Sequence, residues 1–270
     1  MEISILDGAM RVALGFAIGA FGTLIGAGGG FILVPLLLLG YHFEPADAVG
    51  TSLALVFLNA LSGTTAYLRQ RRVDLALGWR FALATLPGAV GGAYVTRALS
   101  SRTFGQAFGV LLIGVAILLF FGRTAGPSAR AGARALVDAG GAIHHYRVDV
   151  WKGVVVSLVV GAISSVFGIG GGIIHVPFLI VVLGLPVHVA TATSHFVLSI
   201  SALAGAVTFL TLGHVHLPTV ALMGTGILAG AQLGARMSLG ASAETIRRVL
   251  AGSLALVGAR MVVMGGSLLR

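Results

Sequence analysis

Two glycine-rich stretches of this sequence have the composition and spacing of an anion-binding backbone. The first, GAGGGFILVP, runs from Gly26 to Pro35, and the second, GIGGGIIHVP, runs from Gly168 to Pro177, 142 positions later. A triple glycine readily unwinds a helix, and the helix that restarts after it presents free N–H donors and a positive dipole end. Two such ends pointing to one place would form an anion site. The predicted donors are the backbone amides of Gly28, Gly29, Gly30, Gly170, Gly171 and Gly172.

The alternative role for these glycines is close helix packing, as in small-xxx-small motifs. Two observations favour the helix break. Each triple glycine is followed five residues later by a proline, and the whole pattern occurs twice in register. The same offset of 142 places Thr51-Ser52 on Thr193-Ser194 and Gly88 on Gly230. We therefore predict that the chain consists of two homologous halves.

Polar side chains near the breaks are further candidates for binding an anion. The hydroxyls of the two Thr-Ser pairs either cap a helix or donate to an oxyanion. An asparagine at membrane depth needs a partner, so Asn59 is either a contact between helices or a ligand. His175 and His195 either hold a proton that offsets an anion or are packed, hydrogen-bonded imidazoles. The candidate side chains are Thr51, Ser52, Asn59, His175, Thr193, Ser194 and His195.

Several kinds of chemistry have no support in the sequence. The chain has no cysteine, which excludes disulfides and thiolate metal sites. It has no Gly-Lys-Ser/Thr phosphate loop, and the pair His214 and His216 lacks a third metal ligand. We predict no metal, no cofactor and no enzymatic activity.

Composition indicates an integral membrane protein. Hydrophobic residues make up 57% of the chain and charged residues only 9%, and residues 12–43 and 153–235 contain no Asp, Glu, Lys or Arg. Such long apolar runs without alternation are typical of membrane helices and not of a barrel. The net charge of +9 is spread over short loops. This pattern fits the positive-inside rule better than nucleic-acid binding, so the lipid bilayer is a predicted partner and nucleic acid is not.

The predicted fold is an all-α integral membrane protein with a first repeat at 1–122, a polar linker at 123–152 and a second repeat at 153–270. Each half has one glycine-broken segment and three ordinary spans. The predicted segments are 9–40, 47–68, 76–97 and 103–122, and then 153–184, 190–212, 217–238 and 246–267.

The broken segments allow two topologies. If each crosses the membrane once, the halves are parallel; if each turns back as a re-entrant hairpin, the halves are inverted about a pseudo-two-fold axis. Both arrangements place 12 basic residues inside and 5 outside, so charge does not choose between them. Residues 12–43 would extend about 48 Å as one helix, well beyond a hydrocarbon core of about 30 Å. Length therefore favours the inverted hairpins.

The pattern resembles the TauE/SafE family of sulfite exporters. The resemblance rests on the two glycine breaks and on the stretches Ala48–Ser52 and Ala190–Ser194 that open the next spans, and it covers essentially the whole chain. It implies a multi-pass carrier of sulfite, sulfoacetate or another small anion.

We predict a secondary transporter in the bacterial inner membrane that exports a small oxyanion through a site at the middle of the membrane. Two alternatives stay open, namely a passive anion channel lined by the same residues and a membrane scaffold that transports nothing. Homo-oligomerisation is also left open.

Overall fold

The computed structural model describes residues 5–122 and 132–267, and most of this part of the chain is helical. Two π-helical segments, Leu36–Gly40 and Phe178–Val182, follow two short helices directly. The helices are α1 (Ile5–Leu24), α2 (Gly30–Pro35), α3 (Pro45–Arg69), α4 (Leu75–Thr96), α5 (Ser101–Phe121), α6 (Val150–Phe167), α7 (Gly172–Pro177), α8 (Val187–Thr211), α9 (Leu217–Gly240) and α10 (Ala243–Ser267).

Both glycine runs interrupt a helix, at the positions where the sequence predicts a break. Helix α1 ends at Leu24 and α2 restarts at Gly30; α6 ends at Phe167 and α7 restarts at Gly172. Each short helix ends in a proline. Because proline lacks an N–H and clashes with the preceding turn, the helical hydrogen bonds are displaced there, and a π-helical segment follows.

Each broken segment ends beside its own beginning. The guanidinium carbon of Arg11, in α1, lies 4.9 Å from the ring centroid of Tyr41, which follows the first π segment. In the second segment a Cβ built on Gly153, in α6, would lie 3.3 Å from Leu183, which follows the second π segment. Each segment therefore enters the helical layer and comes back to the face from which it started.

The two broken segments start from opposite faces of the molecule. Arg11 donates to Thr219 at the start of α9 (3.4 Å), and α9 follows the loop whose His214 contacts Asp47 at the start of α3. Helix α3 ends at the other face, where Gln70 accepts a hydrogen bond from Ala139 in the segment that leads into α6.

The helices pack as four main pairs, α1 with α9, α4 with α6, α5 with α10 and α3 with α8. Glycines permit close approach in the first pair. A Cβ on Gly19 would lie 2.6 Å from the carbonyl oxygen of Ile227, and one on Gly15 would collide with the carbonyl of Met223. Small residues of this kind bring membrane helices into backbone contact. Helices α3 and α8 lie at the centre, where α3 contacts the short helix α2 and α8 contacts the short helix α7.

Five of the described helices, α3, α5, α6, α8 and α9, are long and apolar enough to cross a membrane. Together with the helical content, they describe an all-α, multi-pass membrane protein. The lipid-facing positions agree with this, since Leu83, Val110 and Phe121 are exposed apolar residues of α4 and α5.

A β-hairpin stands between the two sets of helices, and the sequence prediction of a plain polar linker did not include it. Strand β1 (Gly132–Val137) pairs antiparallel with β2 (Ile143–Val148). Arg134 donates to both carboxylate oxygens of Asp74, at 2.8 and 3.1 Å, and the Tyr146 hydroxyl donates to the same carboxylate at 2.8 Å. The hairpin is thus fixed to the loop between α3 and α4. The predicted linker residues Arg123 and Arg130 lie outside the described residues.

Candidate functional site

The two glycine breaks contact each other in the centre of the molecule. A Cβ built on Gly30 would lie 2.8 Å from the carbonyl oxygen of Gly168, and one built on Gly172 would lie 2.8 Å from that of Gly26. No real Cβ fits so close to a backbone oxygen. Because the neighbouring atoms belong to the opposite break, these glycines allow the two backbones to meet.

Backbone conformation gives a second, independent reason for glycine. Gly29 and Gly171, which precede α2 and α7, have φ angles of 79° and 109°, in the left-handed region that residues with a side chain rarely adopt. Their carbonyls accept the first hydrogen bonds of the short helices, from Ile32 and Leu33 and from Ile174 and His175. In the described residues no side chain caps either helix. Of the predicted amide donors, that of Gly28 is already used, because it donates to the carbonyl of Gly22 (3.1 Å). The other predicted amides stay candidates for donation to an anion.

Asn59 and Ser201, which occupy corresponding positions in the two halves of the sequence, hold the breaks in place. The Asn59 amide donates to the carbonyl of Gly28 (3.1 Å), and the Ser201 hydroxyl donates to that of Gly170 (2.7 Å). Both side chains are buried. Asn59 thus contacts the first break at the Gly28 carbonyl and lies within the candidate site.

The two Thr-Ser pairs divide between the breaks and the loops. Thr51 accepts a hydrogen bond from the amide of His216, and Thr193 accepts one from that of Asp74, each at 3.0 Å. His216 and Asp74 are the N-cap residues of α9 and α4. The threonines therefore fix loops at opposite faces and are not brought to the breaks.

The two serines face inward. Ser52 donates to the carbonyl of Gly168, the first residue of the second break, at 2.8 Å. Ser194 is fully buried, and its hydroxyl has no partner among the described residues. An unpaired buried hydroxyl costs about 1–3 kcal/mol, so Ser194 has a donor available for a ligand.

His195 belongs to a buried polar cluster that also contains Thr23, Asn59 and Tyr67, which we call the His195 cluster. Thr23 donates its hydroxyl hydrogen to the Asn59 side-chain oxygen, so it accepts from Nε2–H of His195, 3.3 Å away. Tyr67 donates to the Thr23 carbonyl (2.6 Å), and its ring meets the imidazole edge to face at 5.6 Å. In the described residues, Nδ1 of His195 has no partner.

The positions that correspond to the His195 cluster in the other half carry less polar residues. The offset of 142 places Ser165, Leu53 and Phe209 where Thr23, His195 and Tyr67 stand. Only the Asn59 position keeps a polar contact with the break there, through Ser201. The two ends of the central region are therefore unequal in polarity.

His175 lies apart from the contact between the breaks. Its Nε2 is 3.0 Å from the hydroxyl of Ser157, which itself donates to the carbonyl of Gly153, so the imidazole donates to Ser157. The Phe81 ring packs against it edge to face at 5.7 Å. These contacts are those of a packed, hydrogen-bonded histidine at the root of the second broken segment.

Charged groups gather around the β-hairpin, outside the membrane helices. The backbone amide of Ala142 and then the side chain of His144 lower the pKa of Asp138, which also faces Arg72 at 3.8 Å. Burial, followed by the hydrogen bond to Asp74, raises the pKa of the Tyr146 hydroxyl. Ion pairs and the neutral Tyr146 hydroxyl thus hold the hairpin at its face of the molecule.

Cavities open at both faces beside the broken segments. One of about 420 Å³ lies between α2, its π segment and α10, and Arg260 lines it. Another of about 830 Å³ lies between the hairpin, the start of α6 and the second π segment, with Arg134 and Lys152 in its wall. Among the described residues, no group of three His, Asp or Glu side chains could hold a metal ion. His214 instead lies 2.7 Å from Asp47.

Sequence reasoning did not identify Thr23 or the partners of the hairpin. It also did not identify Val56 and Leu198, whose side chains lie against Gly28 and Gly170. Thr23 immediately precedes the first break, and its hydroxyl could have been included on that ground. Val56 and Leu198 are related by the offset of 142, which marks them as a pair. Asp74 and Arg134 are distant in sequence, and no local signal connects them.

Known proteins similar to this chain are membrane transporters. The family described as Sulfite exporter TauE/SafE matches residues 11–261. The probable membrane transporter protein YunE of Bacillus subtilis is 32% identical over 94% of this chain and 97% of its own length. Probable membrane transporter proteins of Methanocaldococcus jannaschii and Haemophilus influenzae are each 26% identical, over 94% and 97% of this chain and 95% and 97% of their own lengths. No solved structure matches the chain.

Proposed function

We propose, from the premise that this chain belongs to the TauE/SafE family and is a multi-pass membrane transporter, that it exports a small oxyanion such as sulfite or an organosulfonate across the bacterial inner membrane. The observation that carries this proposal is the contact between the two glycine breaks. It puts Gly30 and Gly172, the first residues of α2 and α7, against the opposite break, and we infer that their amides and the helix dipoles would favour an anion there.

The topology that we infer for this transporter has two inverted halves. Each broken segment returns to the face where it begins, as the contact between Arg11 and Tyr41 indicates for the first. The segments begin at opposite faces, and the pairing of α1 with α9 is matched by that of α6 with α4. Inverted halves related by an axis in the membrane plane are a common basis of alternating access. The positive-inside rule then assigns the face with the β-hairpin to the cytoplasm.

We interpret the contact between the two breaks as a closed state of such a cycle. The backbones of the breaks are in contact, so an anion bound to their amides must separate them. Movement of α1 and α2 against α6 and α7 would open the site to one face at a time. Because neutral donors bind the anion, each cycle would move net negative charge, and an inside-negative potential would favour export by about 2.3 kcal/mol per charge per 100 mV.

The test is transport by purified protein in liposomes, with sulfite, sulfate, sulfoacetate and acetate as a panel. We expect saturable movement of at least one oxyanion that depends on membrane potential. Gly171→Leu should abolish it, because φ at this position is 109°. The matched control is Gly114→Leu in α5, where a Cβ meets nothing within 4 Å.

Three outcomes would contradict parts of the proposal. Fast flux that does not saturate would indicate a passive channel. No movement of any panel anion by folded protein would refute oxyanion transport. Equal activity of Gly171→Leu and Gly114→Leu would place the binding site away from the breaks.

A further inference from the structure

Two apolar side chains, Val56 and Leu198, fill the space over both glycine breaks. A Cβ on Gly28 would collide with Leu198 and lie 3.1 Å from Val56; one on Gly170 would lie 2.5 Å from Leu198 and 2.7 Å from Val56. Each of the two side chains therefore touches both breaks. Both are buried, and they occupy corresponding positions on the two central helices, α3 and α8.

These side chains occupy space that a bound anion would need. The methyl groups of Val56 and Leu198 lie against the glycines whose neighbouring amides are the candidate donors. An ion entering an apolar constriction loses its hydration without gaining donors in return, so such a constriction blocks passage until it widens. Val56 and Leu198 are thus placed as a barrier and not as ligands.

The same helices also hold the break backbones in place. Asn59, three residues after Val56, binds the Gly28 carbonyl, and Ser201, three residues after Leu198, binds the Gly170 carbonyl. Residues three apart lie on one face of a helix. Each central helix therefore carries one apolar blocking residue and one polar holding residue on the face toward the breaks. A shift of α3 relative to α8 would separate the blocking residues while each break stays attached to one helix.

We propose that Val56 and Leu198 form the gate of the translocation path and set the size of anion that passes. This inference rests on the proposed function, because a gate requires a path through the breaks. Leucine is the longer side chain, so Leu198 contributes most of the restriction. Removing its branched end should admit larger anions.

The experiment compares Leu198→Ala and Val56→Ala with Leu55→Ala in liposomes. Leu55 is a matched control because it is equally buried on α3 but packs toward α9, where a Cβ built on Gly224 would lie 4.0 Å from it. We measure the ratio of initial rates for sulfoacetate and sulfite, and chloride efflux under an imposed potential. The ratio should rise about tenfold or more in Leu198→Ala, the usual scale for a change of this size in an apolar pocket. Chloride efflux should rise in both gate variants and stay at the wild-type level in Leu55→Ala.

The two measurements separate the gate from the choice of cargo. If the wild type moves no oxyanion of the panel, the proposed function fails, and increased chloride efflux in Leu198→Ala would still support the gate. If the wild type transports and neither the ratio nor the efflux of the gate variants differs from Leu55→Ala, the gate is refuted. Should Leu198→Ala not fold, Val56→Leu provides the opposite test. It should lower sulfoacetate transport more than sulfite transport, and equal reductions would refute size selection.

Discussion

Replacing Gly30 by alanine tests directly whether the two breaks must touch. The φ of Gly30 lies outside the left-handed region, so the substitution adds a steric contact without backbone strain. The new Cβ would lie 2.8 Å from both the Gly168 oxygen and the Ile169 Cα, and 3.1 Å from Val56. The first two atoms belong to the backbone of the opposite break and cannot turn away as a side chain could. The breaks must therefore move apart or the new methyl group stays compressed.

The magnitude follows from two opposing effects. Overpacking of this kind destabilises by about 1–3 kcal/mol. Alanine gains up to about 1 kcal/mol in a helix interior but less in the first turn, where Gly30 lies. The net loss should be about 1–2 kcal/mol, which corresponds to roughly 2–8 °C in the melting temperature of a chain of this size. Gly172→Ala should behave in the same way, because its Cβ meets Ala27 Cα and the Gly26 oxygen at 2.8 Å.

The assay is thermal unfolding of the purified variants in detergent, with Gly114→Ala as the matched control. A Cβ at Gly114 meets nothing within 4 Å, so alanine there should raise the melting temperature slightly through helix propensity. The two substitutions add the same methyl group and are expected to act in opposite directions. If Gly30→Ala and Gly172→Ala were as stable as Gly114→Ala, the contact between the breaks would be refuted.

Three further predictions concern the hairpin and the His195 cluster. Asp74→Asn removes the negative charge and one of the two oxygens that accept from Arg134, whose side chain is 27% exposed; it should cost about 1–3 kcal/mol of stability by thermal unfolding, whereas Glu244→Gln, in an exposed ion pair, should leave the melting temperature nearly unchanged. His195→Leu should lower transport about tenfold or more, because it removes the buried Nδ1 that has no partner among the described residues; unchanged transport would assign His195 to packing alone. The hydrogen bonds that lower the pKa of Asp138 stabilise the hairpin while the carboxyl is ionised, and this contribution is complete above the ordinary carboxyl pKa. Protection of the linker from pepsin should therefore fall as the pH drops through the lowered value. Asp138→Asn should abolish that pH dependence.

The sequence predicted the membrane helices and both breaks well because their signals are local. Apolar runs define the spans, and glycine with proline defines the interruptions at Gly30 and Gly172. The β-hairpin has weaker local signals, since its strands are only six residues long and Arg134, His144 and Arg147 interrupt their apolar residues. Its attachment to Asp74 depends on tertiary contacts that no sequence pattern shows. The hairpin was therefore missed for a physical reason.

The candidate site shows a similar limit. Thr51 and Ser52 are neighbours in sequence, but successive helical residues point about 100° apart. Ser52 consequently faces the second break, while Thr51 faces the loop before α9. The motif identified both residues, and only the helix geometry assigns them to different partners. The sequence likewise does not tell His175 and His195 apart. Of the two, His195 shares a cluster with Asn59, which holds the first break, and His175 does not.

Some positions related by the offset of 142 make the same type of contact in both halves, and others do not. The two groups are expected to have different roles in transport. Asn59 and Ser201 both hold a break, and Thr51 and Thr193 both fix a loop. In the inverted topology that we propose, these contacts would persist in either orientation. Within residues 5–122 and 132–267, the His195 cluster and the hairpin have no equal at the opposite face. If both halves made the same contacts, the inward-open and outward-open states would have equal free energy and equal populations. Contacts that differ between the halves are what can shift these populations. The direction of transport should therefore respond to variants in the His195 cluster and at Asp74, whereas variants at the shared positions should change the rates in both directions together.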